Sequence, residues 1–320
     1  MRTAREKMPV SESGCYYHLM NRVAGQRGSR PLGDVDRERG MRLVARICEY
    51  YLLEPVSVCW MGNHFHIVLY APSDSELPPP AEIAERHNAF HKNKPLRHIS
   101  PNDKAACLET GRKMLDISRF MKDLQQQYTF HYNRMRDRRG HLWGDRFKSV
   151  ILERGDALWT AVKYVALNPV RAGIAANPAD YRHCSWGWKA GSGKHPFDVN
   201  FVKHMRASLG EAGENLDAEE IFALFRSELA RIIASESGFT ASKTQEKSKK
   251  ASKGDTMPTR FLRRVRHWSD GGIIGSKEFV RETAAKFRDR KRVEQKRLSK
   301  GQLDGGGAIY CFKRLRTSDY

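Results

Sequence analysis

The chain has 320 residues, 40% of them hydrophobic and 29% charged, with a mean hydropathy of −0.65. This length allows two domains and at least one sizeable core. No apolar run approaches the ~18 residues that a membrane span needs, and residues 1–10 lack the apolar middle of a signal peptide. Six scattered cysteines with no CxxC pair argue against a zinc ribbon or a disulfide framework, and they predict a reducing cytoplasm.

Positive charge is abundant and unevenly distributed. The net charge is +20 and the isoelectric point is ≈ 9.8. Residues 241–320 contain 22 Lys and Arg against 9 Asp and Glu, so most of the excess lies in the last quarter of the chain. A solvated charged surface usually carries balancing acids, whereas this excess indicates a polyanionic partner. Without a membrane signal the expected partner is nucleic acid, which would place the protein at the nucleoid.

The first 70 residues predict an α+β fold. Residues 15–22 and 56–60 have the composition of strands, and residues 34–51 have apolar side chains at helical spacing. The turn residues Gly62 and Asn63 then precede a third strand, residues 64–70. The order strand, helix, strand, turn, strand is typical of an antiparallel sandwich with helices on one face of the sheet.

Two histidines share one face of this third strand. Alternate side chains of a strand point the same way, so His64 and His66 lie opposite Phe65 and Ile67. Two imidazoles about 7 Å apart on one face can bind a single divalent ion. The alternative is a pair of surface histidines on a half-exposed strand, and other parts of the chain must decide between the two.

The middle of the chain predicts an insertion followed by a helix with a basic end. Residues 71–113 are polar and indicate an insertion with one short helix. Residues 114–138 predict the longest helix, with a core-facing stripe of apolar side chains at steps of three or four. Six basic residues at the end of this helix and after it are predicted to contact nucleic acid: Arg134, Arg136, Arg138, Arg139, Arg146 and Lys148.

A tyrosine stands apart on the next predicted helix. Asp156 is a plausible N-cap for a helix running from residue 157 to about residue 167, with Pro169 ending it. At 100° per residue, Tyr164 and Asn168 lie 40° apart and away from the apolar stripe of this helix. Tyrosines 128 and 132, in contrast, lie on the apolar stripe of their own helix. Tyr164 is therefore the tyrosine that is available for chemistry.

Residues 191–320 are predicted to form segments that are accessory to the catalytic residues. Residues 191–240 indicate a helical extension, and residues 241–258 indicate a flexible linker of low apolar content. Residues 259–320 predict a small basic helical domain that resembles a helix-turn-helix module and binds DNA. Its expected nucleic-acid contacts are Arg263, Arg264 and Arg266.

These parts together support phosphodiester chemistry. A tyrosine phenolate can attack a phosphodiester in line, and a divalent ion must then stabilise the charge that builds on the phosphoryl oxygens. Neutral imidazoles and an amide oxygen leave the charge of an ion nearly intact, which fits Mg²⁺ or Mn²⁺. Zinc would be an alternative in vitro.

Three segments, in this order, resemble a known family. The residues His64-Phe65-His66 match the histidine–hydrophobic–histidine motif of the HUH nucleases. Residues 164–173, YVALNPVRAG, resemble the Tyr-x-x-x-Asn-Pro-Val segment of the REP-associated tyrosine transposases, relatives of the IS200/IS605 single-strand transposases. Residues 140–149, GHLWGDRFKS, resemble the block that precedes the tyrosine helix in that family. The resemblance extends from about residue 14 to 190 and implies that residues 1–190 form the catalytic domain.

The resemblance implies a reaction as well as a ferredoxin-like α+β fold with a central antiparallel sheet. It makes Tyr164 the nucleophile that forms a 5′-phosphotyrosine and releases a 3′-hydroxyl. It makes His64 and His66 metal ligands, and it places Asn168 where the insertion-sequence relatives have a glutamine ligand. The implied substrate is single-stranded DNA beside an imperfect palindromic hairpin, processed by a monomer or homodimer.

Two other functions remain open. One is a DNA-binding protein that keeps this fold without the cleavage activity. The other is an RNA-binding protein with an RRM-like sheet, which aromatic side chains on the open face of the central strands would favour. Histidines occupy that face instead.

Overall fold

The computed structural model of the chain describes residues 14–26, 28–243, 268, 271–287, 294, 298–302 and 308–313. The chain divides into two compact units, residues 1–151 and 152–320. Within the described residues, no helix is long and apolar enough to cross a membrane.

The sheet of the first unit has a ferredoxin-like order. Its strands are β1 (Cys15–Arg22), β2 (Glu54–Trp60), β3 (His64–Ala71) and β4 (Lys148–Leu152). They lie in the order β2-β3-β1-β4, and β3 is antiparallel to both of its neighbours. Helix α1 (Asp34–Cys48) connects β1 to β2, and helix α4 (Ile117–Arg134) precedes β4. This arrangement confirms the predicted α+β sandwich with a central antiparallel sheet.

Helices α1 and α4 cover one face of this sheet. The Trp60 ring stacks on Phe65 at 4.7 Å and on Tyr128 of α4 at 4.6 Å, measured between ring centroids. A Cβ at Gly40 of α1 would come within 2.3 Å of the Trp60 ring, so glycine is what allows α1 to approach β2. The side chains on this face alternate in β3 with the two histidines, which therefore point to the other face.

The insertion contains two α-helices, where the sequence predicted one. They are α2 (Pro80–Phe90) and α3 (Lys104–Leu115), and the Asp103 side chain caps α3 by accepting from the Ala106 amide. Four buried residues give the insertion a small core of its own: Ile83, Ala84, Cys107 and Met114. The prediction failed here because few apolar residues mark the two helical faces.

The helix predicted over residues 114–138 is interrupted and shorter. Asp116 separates α3 from α4 and accepts hydrogen bonds from the amides of Ser118 and Arg119, as an N-cap does. Helix α4 ends at Arg134, and Met135, which follows Tyr132 at the three-residue step of the predicted stripe, is 65% exposed. The apolar spacing continues across the cap, so spacing alone concealed the break.

The second unit is mainly helical. Its helices are α5 (Asp156–Ala166), α6 (Asn168–Arg171), α7 (Ser185–Ser192), α8 (Asp198–Ser208), α9 (Glu211–Glu214), α10 (Ala218–Lys243) and α11 (Lys277–Ala285). Helix α10, with 26 residues, is longer than α4, so the prediction of the longest helix was wrong. Phe201 of α8 stacks on Phe222 of α10 with ring centroids 4.9 Å apart.

The C-terminal region contains strands as well as a helix. Strands β5 (Gly271–Gly275), β6 (Ser299–Gln302) and β7 (Ala308–Lys313) pair antiparallel, with β7 between the other two. The helical prediction for residues 259–320 is therefore correct for α11, which Ser276 caps, and wrong for these three segments. The strands are short, β5 is glycine-rich, and β5 pairs with residues up to 42 positions away (Gly271 with Lys313), so local patterns gave little sign of them. Arg263, Arg264 and Arg266 lie outside the described residues.

Candidate functional site

The histidine pair lies on the central strand of the first unit. His66 is opposite Met20 of β1 and Cys59 of β2, and His64 is opposite Arg22. Side chains alternate along β3, and Phe65 packs on Trp60 on the side of α1 and α4, so both histidines point to the opposite face of the sheet. His66 is 4% exposed, and His64 is partly exposed at the start of the strand.

The His64 ring is fixed by the turn before it. Asn63 donates through Nδ2 to the Ser29 carbonyl oxygen at 2.6 Å, and its Oδ1 lies 2.7 Å from His64 Nδ1. A carbonyl oxygen only accepts, so the first bond determines which end of the Asn63 amide faces the histidine. Oδ1 also only accepts, and His64 Nδ1 therefore donates. In the neutral ring the lone pair is then on Nε2, the atom through which an imidazole with this tautomer can bind a metal ion.

His18 extends the pair to three imidazoles, and the sequence analysis missed it. Its Nε2 lies 2.9 Å from His66 Nδ1, and the two rings stack with centroids 5.0 Å apart. His18 is fully buried. His18 shares a face of β1 with Met20, the residue opposite His66, but the register that brings them together is not marked in the sequence of either strand.

The two predicted ligand rings have a separation that suits a shared ion. The ring centroids of His64 and His66 are 5.0 Å apart, with the ring planes at 87°. With metal–nitrogen distances of ~2.1 Å, two imidazoles bound at about 90–110° have centroids roughly 4.6–5.3 Å apart. Within the described part of the chain, no group of three or more His, Cys, Asp or Glu side chains could hold a metal ion. The predicted histidine pair is smaller than such a group, and the separation of its two rings is compatible with one shared ion.

The predicted nucleophile lies in the second unit, on α5. Tyr164 is 4% exposed, which corrects the expectation that it lies on an open side of its helix. Every residue of α5 from Ala157 to Ala166 is buried, since α7, α8 and β5 all contact this helix. The predicted apolar stripe was therefore too narrow. The helix also begins one residue earlier than expected, because Gly155 (φ 92°) and not Asp156 is its N-cap.

Asn168 lies one turn beyond Tyr164, as predicted. Its Nδ2 donates to the Tyr164 carbonyl oxygen at 2.9 Å, which leaves the amide oxygen outside that bond. The guanidinium carbon of Arg171 lies 4.4 Å from the centroid of the Tyr164 ring, a cation–π arrangement. The Trp268 ring is 6.0 Å from the same ring. The histidines belong to the first unit, and the tyrosine and asparagine belong to the second.

A buried ion pair fixes α5 to α10. The Lys163 ammonium lies 2.8 Å from Glu228 Oε2, which also accepts from the Trp159 indole at 2.5 Å. The Lys163 side chain is only 4% exposed. Because Lys163 directly precedes Tyr164, this ion pair sets the rotation of the helix that carries the predicted nucleophile.

The competing tyrosines of α4 have packing roles. Tyr128 donates to the backbone carbonyl of Asp36 at 3.1 Å, and Tyr132 donates to that of Pro31 at 3.3 Å. Burial, together with the nearby Asp36 carboxylate, raises the pKa of Tyr128. A raised pKa opposes formation of the phenolate that a nucleophile needs.

The predicted basic residues of the first unit are exposed. Arg136 forms an ion pair with the buried Asp36 at 2.5 Å and stacks on the Tyr132 ring at 3.9 Å, so part of its charge is neutralised locally. Arg146 and Lys148 flank the start of β4 and are also exposed. We refer to the three other exposed arginines near the end of α4 as the α4 arginine cluster: Arg134, Arg138 and Arg139.

The chain has a structural likeness to a known protein. No protein-family model and no curated protein matches the chain. A solved structure similar to it is that of a REP-associated tyrosine transposase bound to a REP hairpin. The match has 14% sequence identity and a TM-score of 0.40, and it covers 62% of this chain and 90% of the other. A likeness at this level does not establish a family for the chain.

Proposed function

We propose that the protein is a metal-dependent single-strand DNA endonuclease and strand transferase that acts beside palindromic hairpins through a covalent tyrosine intermediate. The observation that carries the proposal is the placement of the motif residues. His64 and His66 share the face of a central strand that points away from α1 and α4, at a ring separation that suits one ion. Tyr164 and Asn168 follow each other one helical turn apart.

The chain's own residues supply most of the chemistry in this proposal. The Tyr164 hydroxyl gives up its proton to solvent, and its oxygen forms a bond to phosphorus. The bond from phosphorus to the 3′ oxygen breaks, and that oxygen takes up a proton and leaves as a hydroxyl. Arg171, already beside the Tyr164 ring, would place positive charge near the attacked phosphate.

His64, His66 and Asn168 would hold the ion. When bound, the ion polarises the phosphoryl oxygens and lowers the barrier to attack. Imidazole donors suit Mn²⁺ or Zn²⁺ better than the harder Mg²⁺, and the amide oxygen of Asn168 suits any of the three. Mn²⁺ or Mg²⁺ is the proposed cofactor in the cell.

Single-stranded DNA with a hairpin is the proposed partner. The α4 arginine cluster, Arg146 and Lys148 offer exposed positive charge in the first unit, which suits contacts to phosphate. Such contacts position DNA without reading its sequence, so they fit a substrate that is recognised by its hairpin shape.

The direct test is formation of a covalent adduct. The full-length protein is incubated with hairpin-bearing single-stranded DNA and Mn²⁺ and then analysed by denaturing electrophoresis. We expect a protein–DNA band from the wild type and from Tyr128→Phe, and none from Tyr164→Phe. Absence of a band from the wild type at all tested divalent ions would refute the enzymatic proposal.

A second candidate function is DNA binding without cleavage. The low exposure of Tyr164 favours it, because a nucleophile that is 4% exposed must become accessible before it can reach a phosphate. If this function is correct, the wild-type protein binds the hairpin but forms no covalent adduct with it.

A further inference from the structure

The insertion of the first unit carries a basic loop between α2 and α3. Residues 91–100 of this loop contain three cations and two histidines but no Asp or Glu. We refer to the cations as the loop cations: Lys92, Lys94 and Arg97. All three are exposed, and none of them forms an ion pair with a carboxylate in the described part of the chain. The loop therefore presents positive charge that no neighbouring acid neutralises.

The pKa of His91 is consistent with this concentration of charge. Burial lowers it, and four nearby basic side chains lower it further: His87, Arg97, Lys94 and His98. A cation is harder to add where other cations already lie. The loop is thus a place of positive potential, which attracts a polyanion.

Hydrogen bonds fold the loop back on itself. The Asn88 side chain on α2 accepts from the Ile99 amide at 2.9 Å and donates to the Ile99 carbonyl at 3.0 Å. His98 Nε2 donates to the His91 carbonyl at 3.1 Å, which ties the two ends of the loop together. Residues 95–97 form a single 3₁₀ turn between them. Because these bonds fix the backbone in advance, a partner that binds here orders little of the chain.

Leu96 is fully exposed in this turn. Ile99, three residues later, packs against the small core of the insertion, so the loop buries one apolar side chain and leaves the other in solvent. A single exposed leucine is ordinary on a protein surface. Here, however, the leucine lies on a backbone of fixed shape, within four positions of each loop cation. Proteins that kink DNA use this combination, in which an apolar wedge contacts bases and cations bind the flanking phosphates.

We propose that residues 92–98 are a further DNA contact, in which the loop cations bind backbone phosphates and Leu96 packs against an unpaired or mismatched base of the hairpin. The inference rests on the proposed function in taking hairpin-bearing DNA as the partner, but it does not rest on cleavage. Unpaired and mismatched bases are the expected target, because they cost the least to unstack.

An anionic lipid surface would also attract the loop cations, but the apolar part of the loop is too small for it. Even a whole myristoyl chain binds membranes only marginally, and Leu96 offers far fewer carbon atoms. A wedge in DNA, in contrast, needs one apolar side chain at one base step. DNA is therefore the partner that the loop fits better.

The charge of the loop is tested by the salt dependence of binding. The full-length protein is titrated into hairpin-bearing single-stranded DNA with one mismatch in the stem, and fluorescence anisotropy is measured at several salt concentrations. Changing Lys92, Lys94 and Arg97 together to Gln should reduce the slope of log affinity against log salt by roughly 2, because each lost phosphate contact contributes ~0.7. The control Lys113→Gln removes a charge of the same insertion that is already paired with Glu109, and it should leave the slope unchanged. A triple variant with the wild-type slope would overturn the proposal.

The variant Leu96→Ser separates the apolar contact from the charge. It should weaken binding about 10-fold without changing the salt slope, because it removes apolar burial and no charge. A 2-aminopurine beside the mismatch should brighten when the wild-type protein binds and stay dim with Leu96→Ser. The control Val199→Ser changes a valine that is 81% exposed on α8, and it should behave as the wild type does. Wild-type affinity of Leu96→Ser, or a wild-type fluorescence response, would overturn the proposal.

These readouts do not depend on DNA cleavage. If the variants behave as expected but the wild type forms no covalent adduct, the loop binds DNA and only the proposed reaction is wrong. If an adduct forms and all the variants bind the hairpin as the wild type does, the reaction stands and the role of the loop is wrong. Binding to phosphatidylserine-containing vesicles that Leu96→Ser abolishes, with hairpin affinity unchanged, would make the loop a membrane contact and overturn the DNA contact.

Discussion

Glu228 is the residue whose removal should most clearly disturb the helix of the proposed nucleophile. It is the partner of the buried Lys163 ammonium at 2.8 Å, and it accepts from the Trp159 indole at 2.5 Å. Removing one member of a buried ion pair takes away the opposite charge nearest to the other and typically costs about 3–5 kcal/mol. The lost acceptor of the indole adds about 1 kcal/mol. We therefore expect Glu228→Leu to lower the free energy of unfolding by roughly 3–5 kcal/mol or slightly more.

The double variant Lys163→Met/Glu228→Leu tests whether the loss of stability in Glu228→Leu comes from the charge of Lys163 or from lost packing. Replacing both members of a buried pair by apolar side chains is often neutral or stabilising, so most of the stability should return. Urea unfolding followed by circular dichroism measures each variant, with Glu219→Gln as the control, because the Glu219 side chain is 81% exposed and lies 3.9 Å from Lys189. A double variant as unstable as Glu228→Leu would refute the electrostatic explanation, as would a loss below about 1 kcal/mol for Glu228→Leu itself.

Three further predictions concern the metal, the DNA and pH. His64→Ala and His66→Ala should each abolish the covalent adduct while filter binding shows hairpin affinity within about 3-fold of the wild type, because phosphate contacts dominate affinity; full cleavage by the double variant would exclude the metal assignment. Replacing all three residues of the α4 arginine cluster by Gln should reduce the slope of log affinity against log salt by roughly 2, because each lost phosphate contact contributes ~0.7. The control Arg42→Gln removes an exposed ion pair with Glu38 and should leave this slope unchanged. Burial lowers the pKa of His195 to about 4, and its Nδ1 accepts from the Phe197 amide at 2.9 Å. The unfolded chain then binds more protons than the folded one between about pH 6.5 and pH 4, so stability should fall as the pH drops through that window, by about 2 kcal/mol from pH 7 to pH 5; a His195→Gln protein with the same pH dependence would contradict this.

The sheet of the first unit was predictable because its signals are local. Alternation places His64 and His66 on one face whatever the strand pairs with, and the turn at Gly62 and Asn63 sets the hairpin. The contact of His18 with His66 joins residues 48 positions apart. It depends on the register between β1 and β3, which the sequence of either strand alone does not specify.

The environment of Tyr164 was less predictable. Helical spacing identifies the most apolar side of α5, but contacts from α7, α8 and β5 bury the other sides as well. One of these contacts comes from the C-terminal region, since the Glu153 amide before α5 donates to the Ile274 carbonyl at 3.0 Å. Strand β5 therefore contributes to the structure around the tyrosine helix, so a deletion of residues 241–320 would remove structural contacts as well as positive charge.

Peptide mapping of the covalent adduct would identify the nucleophile. Wild-type protein is trapped with hairpin-bearing single-stranded DNA and Mn²⁺, digested with nuclease and trypsin, and analysed by mass spectrometry for a tyrosine that carries a nucleotide phosphate. The proposed chemistry predicts this mass on the peptide that contains Tyr164 and on no other. The same mass on Tyr128 or Tyr132 would contradict the assignment and with it the proposed mechanism.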